Sequence, residues 1–426
     1  MRQSARGLHA LADRHMCQAK GDGMGISSFD IVISGAGVAG LSAACVLGQA
    51  GFRVLCVDPA APVTDQHAQG ADLRTTAILQ PGRGVLEEAG VWARLGDQPS
   101  ALQIMRIIDA GGAEPEPRVV REFDAADISD HPFGWNVPNW LLRRAMVARA
   151  SELETVELRM GVGVASVLTR EAEARVRLSD GTSHRCQLLI AADGRASPVR
   201  EAVGIAVRTT RYGQKALTFA VTHPAPHDNV STEIHRSGGP FTLVPLPDHE
   251  GQPCSAVVWM ERGPEAQRLM GLSVAEFEAE MTTRSCSVMG PLTLASRRTI
   301  WPIISQIASR MSGERVALMA EAAHVVPPIG AQGLNMSLAD LGAILDLARS
   351  DPDRLGHRDM LEAYHKRRHA EIAVRVTGID VLNRASMVDD QMLRDARARG
   401  LDALYGLAPV RRMLMQLGLG MRRQDA

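Results

Sequence analysis

The stretch Phe29-Asp-Ile-Val-Ile-Ser-Gly-Ala-Gly-Val-Ala-Gly-Leu41 decides the fold. Ile31, Val32 and Ile33 form a short apolar run that stops at glycines, as a buried parallel strand does. Leu41 to Ala50 reads as a helix of small residues, with Gly51 placed to end it. Arg53 to Val57 reads as the next strand, and Asp58 closes it. Strand, glycine turn, helix and strand in that order open a dinucleotide-binding domain. Gly35, Gly37 and Gly40 form a GxGxxG. The first glycine permits the tight turn, the second lets the backbone approach a pyrophosphate, and the third lets helix and strand pack closely. The helix N-terminus then faces the phosphates with unpaired N–H groups. A lone GxGxxG is a weak signal, because a glycine-rich turn occurs in unrelated α/β proteins. The flanking strands, the helix and Asp58, placed for a ribose hydroxyl pair, make nucleotide binding the stronger reading.

The rest of the chain extends this start. A helix is expected from about Thr75 to Ala89, strands at Gln103 to Asp109 and Val119 to Phe123, and a helix at Trp140 to Ala150. Val156 to Leu178 alternates in short pieces, which predicts antiparallel strands. Leu188 to Ala191 is again a buried strand, ending at Asp193-Gly194. Residues 209–300 are rich in strands and turns and read as a second, sheet-based domain. Val316 to Met319 is a buried strand leading to Glu321, then a loop with Pro327, Pro328, Gly330 and Gly333, then a helix from about Leu334 to Ala348. Prolines stiffen such a loop, and glycines let its backbone lie against a flat ligand. The expected fold is α/β: a Rossmann-like nucleotide domain (residues 29–100, 135–208 and 301–350) interleaved with a β-sheet substrate domain (residues 101–134 and 209–300), and a helical C-terminal region over residues 351–426.

Composition excludes several classes. The formal net charge of -1 offers no basic footprint for nucleic acid. The 6 cysteines are scattered without a CxxC pair, so reduced thiols in the cytoplasm are expected, with no disulfide framework and no metal site. Ile31 to Phe52 carries no charge and is long enough for a bilayer, but its glycines and its strand-then-helix character read as a buried βα unit. Residues 1–28 are basic, lack apolar periodicity and end in glycines. They read as a disordered extension, with Met24 as an alternative start and a targeting peptide as the other alternative.

Three sites in order, the GxGxxG, Ala191-Ala-Asp-Gly194 and the stretch from Arg315 to Asp340, resemble the FAD-dependent aromatic hydroxylases of the para-hydroxybenzoate hydroxylase fold. Within that group the chain is most similar to the ubiquinone-biosynthesis hydroxylases. The supporting segments are Asp72-Leu-Arg-Thr-Thr-Ala-Ile-Leu79, Phe133-Gly-Trp-Asn-Val-Pro-Asn-Trp-Leu-Leu142, Tyr212-Gly-Gln214 and Gly239-Pro-Phe-Thr-Leu-Val-Pro-Leu246. The resemblance covers about residues 29–384. It implies that Gly35, Gly37 and Gly40 hold the FAD pyrophosphate and Asp58 the adenosine ribose. It places Arg74 along the flavin chain, Asp193 and Gly194 at FAD and pyridine-nucleotide contacts, and Pro328, Gly330, Gly333, Leu334 and Asn335 around the isoalloxazine. Glu321 stands where the family has an aspartate that bonds the ribityl hydroxyls, and Ala320 where the family has glycine. The acid is kept, so FAD binding is expected to survive with an altered affinity. The helix start after the loop would stabilise the negative charge of a reduced flavin.

The implied chemistry is hydroxylation of a phenol ring through a flavin hydroperoxide, with O2 as co-substrate and electrons from NAD(P)H or another donor. No general base is evident. His324 is a flavin-proximal candidate with Pro328 and Gly330, although a structural histidine is the more frequent outcome at such a position. Trp135, Trp140, Trp259 and Trp301 are read mostly as core. At the C-terminus, Leu401, Leu404, Leu407, Val410, Met413, Leu414 and Leu417 recur at helical spacing beside Arg411, Arg412, Arg422 and Arg423. This is either a basic amphipathic helix on an anionic membrane, peripheral on the inner membrane, or a helix packed on the FAD domain. The expected substrate is a polyprenyl-phenol, in the setting of a quinone-synthesis complex. The alternatives are a small soluble aromatic substrate and a flavoprotein scaffold without catalysis.

Overall fold

The computed structural model describes residues 27–419. Of the extension expected over residues 1–28, residues 1–26 lie outside the described residues, while Ser27 and Ser28 already belong to the first strand, Ser27–Ser34. Arg422 and Arg423 also lie outside them.

The first sheet is built on five parallel strands in the spatial order Val156–Met160, Val54–Asp58, Ser27–Ser34, Ser183–Ala191, Val316–Leu318. Ile31 pairs with Val54 on one side and Leu188 on the other. The apolar run of the opening stretch is fully buried, as a strand covered on both faces must be. From the central strand the chain first builds outward to Val54–Asp58 and Val156–Met160. It then returns to the other side of the centre for Ser183–Ala191 and Val316–Leu318. The strand order therefore reverses between Ser27–Ser34 and Ser183–Ala191, and ligands of open α/β sheets bind at such switch points. The antiparallel pieces expected over residues 156–178 are only partly so. Val164–Thr169 and Ala174–Leu178 form an antiparallel hairpin, but Val156–Met160 is a parallel edge strand against Val54–Asp58.

The second sheet has 9 strands and is antiparallel except where Val230–His235 meets Ile104–Asp109. Its longest strand, Val207–Thr222, pairs with Gln252–Arg262 and with Thr299–Ala308. Thr299–Ala308 straddles the boundary expected at residues 300/301 and lies wholly in this sheet. Its apolar run continues without a break across that point. Successive side chains alternate between faces. On one face Leu217, Phe219, Phe241 and Trp259 pack with Leu269 and Phe277 of the helices Gly263–Gly271 and Val274–Arg284. On the other, Ala216, Met260 and Ile303 meet Ile329 and Ile379.

A small third sheet joins Thr75–Leu79, Gly134–Pro138 and Ser100–Leu102. Here the sequence expectation of a helix from Thr75 to Ala89 is corrected. Thr75–Leu79 is a strand, and the helix is Gln80–Glu88. Pro81 sits in the first turn of that helix, where its missing N–H costs nothing, and the β-branched Thr75 and Thr76 favour the strand before it. The last described elements are the helices Arg358–Ser386, Gln391–Gly406 and Ala408–Leu419.

Candidate functional site: a flavin cradle

The glycine loop leaves the central strand and enters the helix Val38–Gln49 at Gly37, with no capping side chain and no acid in the first turn. Its first N–H groups are left for a ligand. Gly35 has φ +107°, and a Cβ there would strike the carbonyl of Ala192. A Cβ on Gly40 would strike the carbonyl of Gly35. Gly37 differs, because a Cβ there would meet nothing within 4 Å. Gly35 and Gly40 are thus required by packing, and Gly37 faces open space. Asp58 closes the loop from the next strand. One of its oxygens accepts from the Ala36 N–H at 2.7 Å and the other from the Ala60 N–H at 2.8 Å.

Across the switch point, Asp193 lies two residues beyond the strand Ser183–Ala191. Ser34 Oγ donates to its Oδ2 at 3.3 Å and the Val199 N–H at 3.2 Å. Its Oδ1 is buried without a partner among the described residues, and burial pushes its carboxyl above the usual range. Gly194 follows with φ +86°. Ser197 caps the next short helix by accepting from the Arg200 N–H, and the buried Arg200 donates to the carbonyls of Arg195 and Ala322 at 3.1 and 3.0 Å. Arg200 therefore ties this loop to the one after Val316–Leu318.

Glu321 lies in that second loop with its side chain 48 % exposed, paired with Arg195 at 3.2 Å. Arg74 lies within its electrostatic reach. Arg74 donates to Asp72 from Nε and Nη2, each at 2.8 Å, and its cation lies 4.5 Å from the centre of the Trp301 ring. Ala320, beside Glu321, has φ +55°, in the left-handed region.

The Pro/Gly loop leads into the helix Gln332–Ser350. Its cap residue, Ala331, has φ +56°, with no capping side chain and no acid in the first turn. Pro328 and Gly333 are exposed, and Leu334 packs on the main core. Asn335 does something the sequence does not disclose. Its Nδ2 donates to the carbonyls of Ala77 and Ala331, both at 2.7 Å, and its Oδ1 accepts from the Leu79 N–H at 2.9 Å. Its side chain is thereby committed to the strand Thr75–Leu79.

His324 is placed away from the open crevice. Its ring is buried, with Nε2 2.6 Å from Asp340 Oδ2, and the buried Arg368 donates to Asp340 Oδ1 at 2.8 Å. The geometry is that of a structural histidine. Asp340 and Arg368 were not singled out by the sequence. The available signal was a lone acid between Leu338 and Leu341 on the apolar face of a helix. Between the sheet and the Pro/Gly loop lies an apolar cluster of Ala216, Met260, Ile303, Ile329 and Ile379, bordered by Tyr212. The Tyr212 hydroxyl donates to Asp380 at 2.6 Å, and burial, with that hydrogen bond, pushes its pKa up to about 12. It is a donor and not a base at neutral pH.

An open Gly37 approach, an orphaned buried oxygen on Asp193 and two uncapped helix starts fit a dinucleotide whose flat ring ends at an apolar face of the second sheet. That is the site of a flavoprotein of the FAD-dependent monooxygenase fold. The chain belongs to the FAD-binding domain family, whose model matches residues 28–377. It is 30 % identical over 396 residues to ubiquinone hydroxylase UbiL of Rhodospirillum rubrum, covering 92 % of this chain and 89 % of that protein. It is 26 % identical to 3-demethoxyubiquinol 3-hydroxylase of Escherichia coli, covering 92 % and 98 % of the two chains. Its fold is shared with p-nitrophenol 4-monooxygenase PnpA of Pseudomonas putida, at TM-score 0.75, 18 % identity and coverage of 93 % and 100 %. The protein is a flavin-dependent aromatic hydroxylase with FAD as cofactor.

Proposed function

We propose that this protein hydroxylates the aromatic ring of a polyprenylated ubiquinone precursor. The observation that carries the reading is the apolar cluster between the second sheet and the Pro/Gly loop, beside a chain whose relatives are named ubiquinone hydroxylases. An apolar wall suits a ring that bears a hydrocarbon chain and excludes water from it.

Gly35, Gly37 and Gly40 hold the FAD pyrophosphate, and Asp58 the adenosine ribose. Asp193 and Gly194 flank the phosphates. Glu321 reaches the ribityl hydroxyls, with Arg195 and Arg74 beside it. Gly330, Gly333 and the N–H groups at the start of Gln332–Ser350 face the isoalloxazine, and Pro328 stiffens its border. Bound and reduced FAD supplies the activation of O2, with reducing equivalents from NAD(P)H or another donor. The protein's share is position, dryness and a positive helix end.

Delivery of such a substrate involves the C-terminal helices. No helix among the described residues is long and apolar enough to cross a membrane. Leu404, Leu407, Met413 and Leu414 are nevertheless exposed, beside Arg412. Arg411 is instead turned inward to Asp127 at 3.3 Å. The Gly418 carbonyl accepts from Gln332 Nε2 at 3.0 Å, so the last helix also reaches the start of Gln332–Ser350. The apolar residues rest on a membrane surface, where the substrate resides.

The test is mass spectrometry of quinone intermediates in a strain lacking the gene, complemented with wild-type and Glu321→Ala copies. Accumulation of a prenyl-phenol that lacks one hydroxyl-derived group, cleared by the wild type, supports the reading and identifies the ring position. An unchanged quinone pool overturns it.

A further inference from the structure

A cavity of about 310 Å³ opens on the face of the second sheet that points away from the Pro/Gly loop. Trp259 and Glu261 line it from the strand Gln252–Arg262, whose intervening Met260 points to the flavin side. Arg284 enters from the end of Val274–Arg284, Arg236 from the turn after Val230–His235, and Arg394 from Gln391–Gly406. Its size is at the lower end of small-ligand sites, which run from about 300 to 1,000 Å³.

The charges around this cavity do not balance. Its two outer acids, Glu265 and Glu280, are both held by Arg268, at 2.6 and 3.0 Å. Among the described residues, none of Arg236, Arg284 and Arg394 has a carboxylate within ion-pair distance. Arg284 is buried and donates to two carbonyls, Ile234 at 3.2 Å and Gly239 at 2.6 Å. These occupy two of its five N–H donors, and its nearest counter-charge is Glu261, beyond ion-pair distance; burial presses its pKa down to about 10. The third acid, Glu261, accepts from the Arg262 N–H at 2.9 Å, and burial pushes its carboxyl up, toward the neutral form. Two donors on the cavity wall are also unsatisfied. Trp259 is 3 % exposed, and its Nε1 has no partner among the described residues, and neither has the buried Nε of Arg394. Buried donors without acceptors are rare in folded proteins and point to a missing partner.

We propose that this cavity binds a phosphate-type dianion, either free or as the phosphoryl group of a small polar molecule, on the opposite side of the sheet from the flavin. Three guanidiniums supply the charge, and Trp259 Nε1 and Arg394 Nε the remaining donors. Because the walls come from the sheet, from Val274–Arg284 and from Gln391–Gly406, the anion fastens the C-terminal helices to the substrate-side domain. The inference is independent of which aromatic ring is hydroxylated.

The experiment titrates the FAD-loaded, full-length protein with inorganic phosphate and, separately, with phenyl phosphate, at ionic strength held constant with sodium chloride. Loading with FAD keeps the nucleotide cradle occupied. Calorimetry and thermal unfolding are read together, on the wild type and on the Arg236→Gln/Arg394→Gln double variant. Arg284 is left in place because it holds two buried carbonyls. Saturable binding and a rise in Tm are expected, with affinity at least tenfold weaker in the double variant and FAD content unchanged. Tighter phosphate than phenyl phosphate identifies the free ion, and the reverse identifies a phosphorylated molecule. No effect beyond chloride from either compound, or equal affinity in the double variant, overturns the proposal.

Discussion

Asn335 accepts a hydrogen bond from the backbone N–H of Leu79 at 2.9 Å, across 256 positions of sequence. With its two donated bonds to Ala77 and Ala331, this one amide clamps the start of Gln332–Ser350 to the strand Thr75–Leu79. The helix start proposed to face the flavin is thereby held by a side chain that need not touch the flavin. Asn335→Leu leaves the Leu79 N–H and the Ala77 carbonyl without their partners, at about 1–3 kcal/mol for a buried polar group. We expect a loss of stability in that range by urea unfolding. We also expect faster release of FAD, read as recovery of flavin fluorescence on dilution. Unchanged flavin release would show that the clamp does not order the loop.

Ala320 occupies the left-handed region at φ +55°, where an L-residue with a Cβ is disfavoured by about 1–2 kcal/mol. Replacing it with glycine removes that cost, offset by about 0.5–1 kcal/mol of extra backbone entropy in the unfolded chain. Ala320→Gly is therefore expected to stabilise the protein by up to about 1 kcal/mol, seen as a small rise in Tm. A fall in Tm would mean that the alanine methyl contributes packing worth more than the strain.

Most of the nucleotide-binding half was legible in the sequence because its signals are local. Gly35, Gly40 and Asp58 lie within one βαβ unit: Gly40 packs on the Gly35 carbonyl, and Asp58 accepts from the Ala36 N–H between them. The strand Thr75–Leu79 was not legible, because its partner Gly134–Pro138 lies far along the chain and its helix-like spacing competes with its β-branched residues. Asn335 follows the Pro/Gly loop in the sequence, but its bonding to Ala77 and Leu79 is a tertiary fact with no local signature. The same holds for Arg368, one cation in a charge-rich helix until the fold brings it to Asp340. The cavity on the far face joins residues from Arg236 to Arg394 and has no sequence pattern at all.

Glu321 and Arg195 form a partly exposed pair, with 48 % and 35 % of their side-chain surfaces open. Such pairs contribute under about 1 kcal/mol to stability. If Glu321 serves the cofactor, Glu321→Gln leaves unfolding in urea nearly unchanged and weakens FAD binding roughly tenfold, the worth of one charge-assisted hydrogen bond. Glu321→Asp retains the charge and keeps most of the affinity. Both are read by flavin fluorescence titration of the apoprotein. Equal FAD affinity in wild type and Glu321→Gln would remove Glu321 from the cradle.

Asp340 offers a pH test of the buried network behind the cradle. Complete burial alone would raise its carboxyl, but His324 and Arg368 outweigh this and hold it below the usual range. A folded value below the unfolded one, about 3.9, means the contribution is present above that pH. It is lost as pH falls through the folded value. Asp340→Asn leaves Arg368 buried without its carboxylate and is expected to cost about 3–5 kcal/mol at pH 7. The stability gap between wild type and variant should stay constant from pH 7 to about pH 5 and narrow below about pH 4. Urea unfolding at intervals between those values measures it. A gap that widens on acidification would mean that Asp340 is neutral in the folded protein and that His324 and Arg368 do not hold it charged.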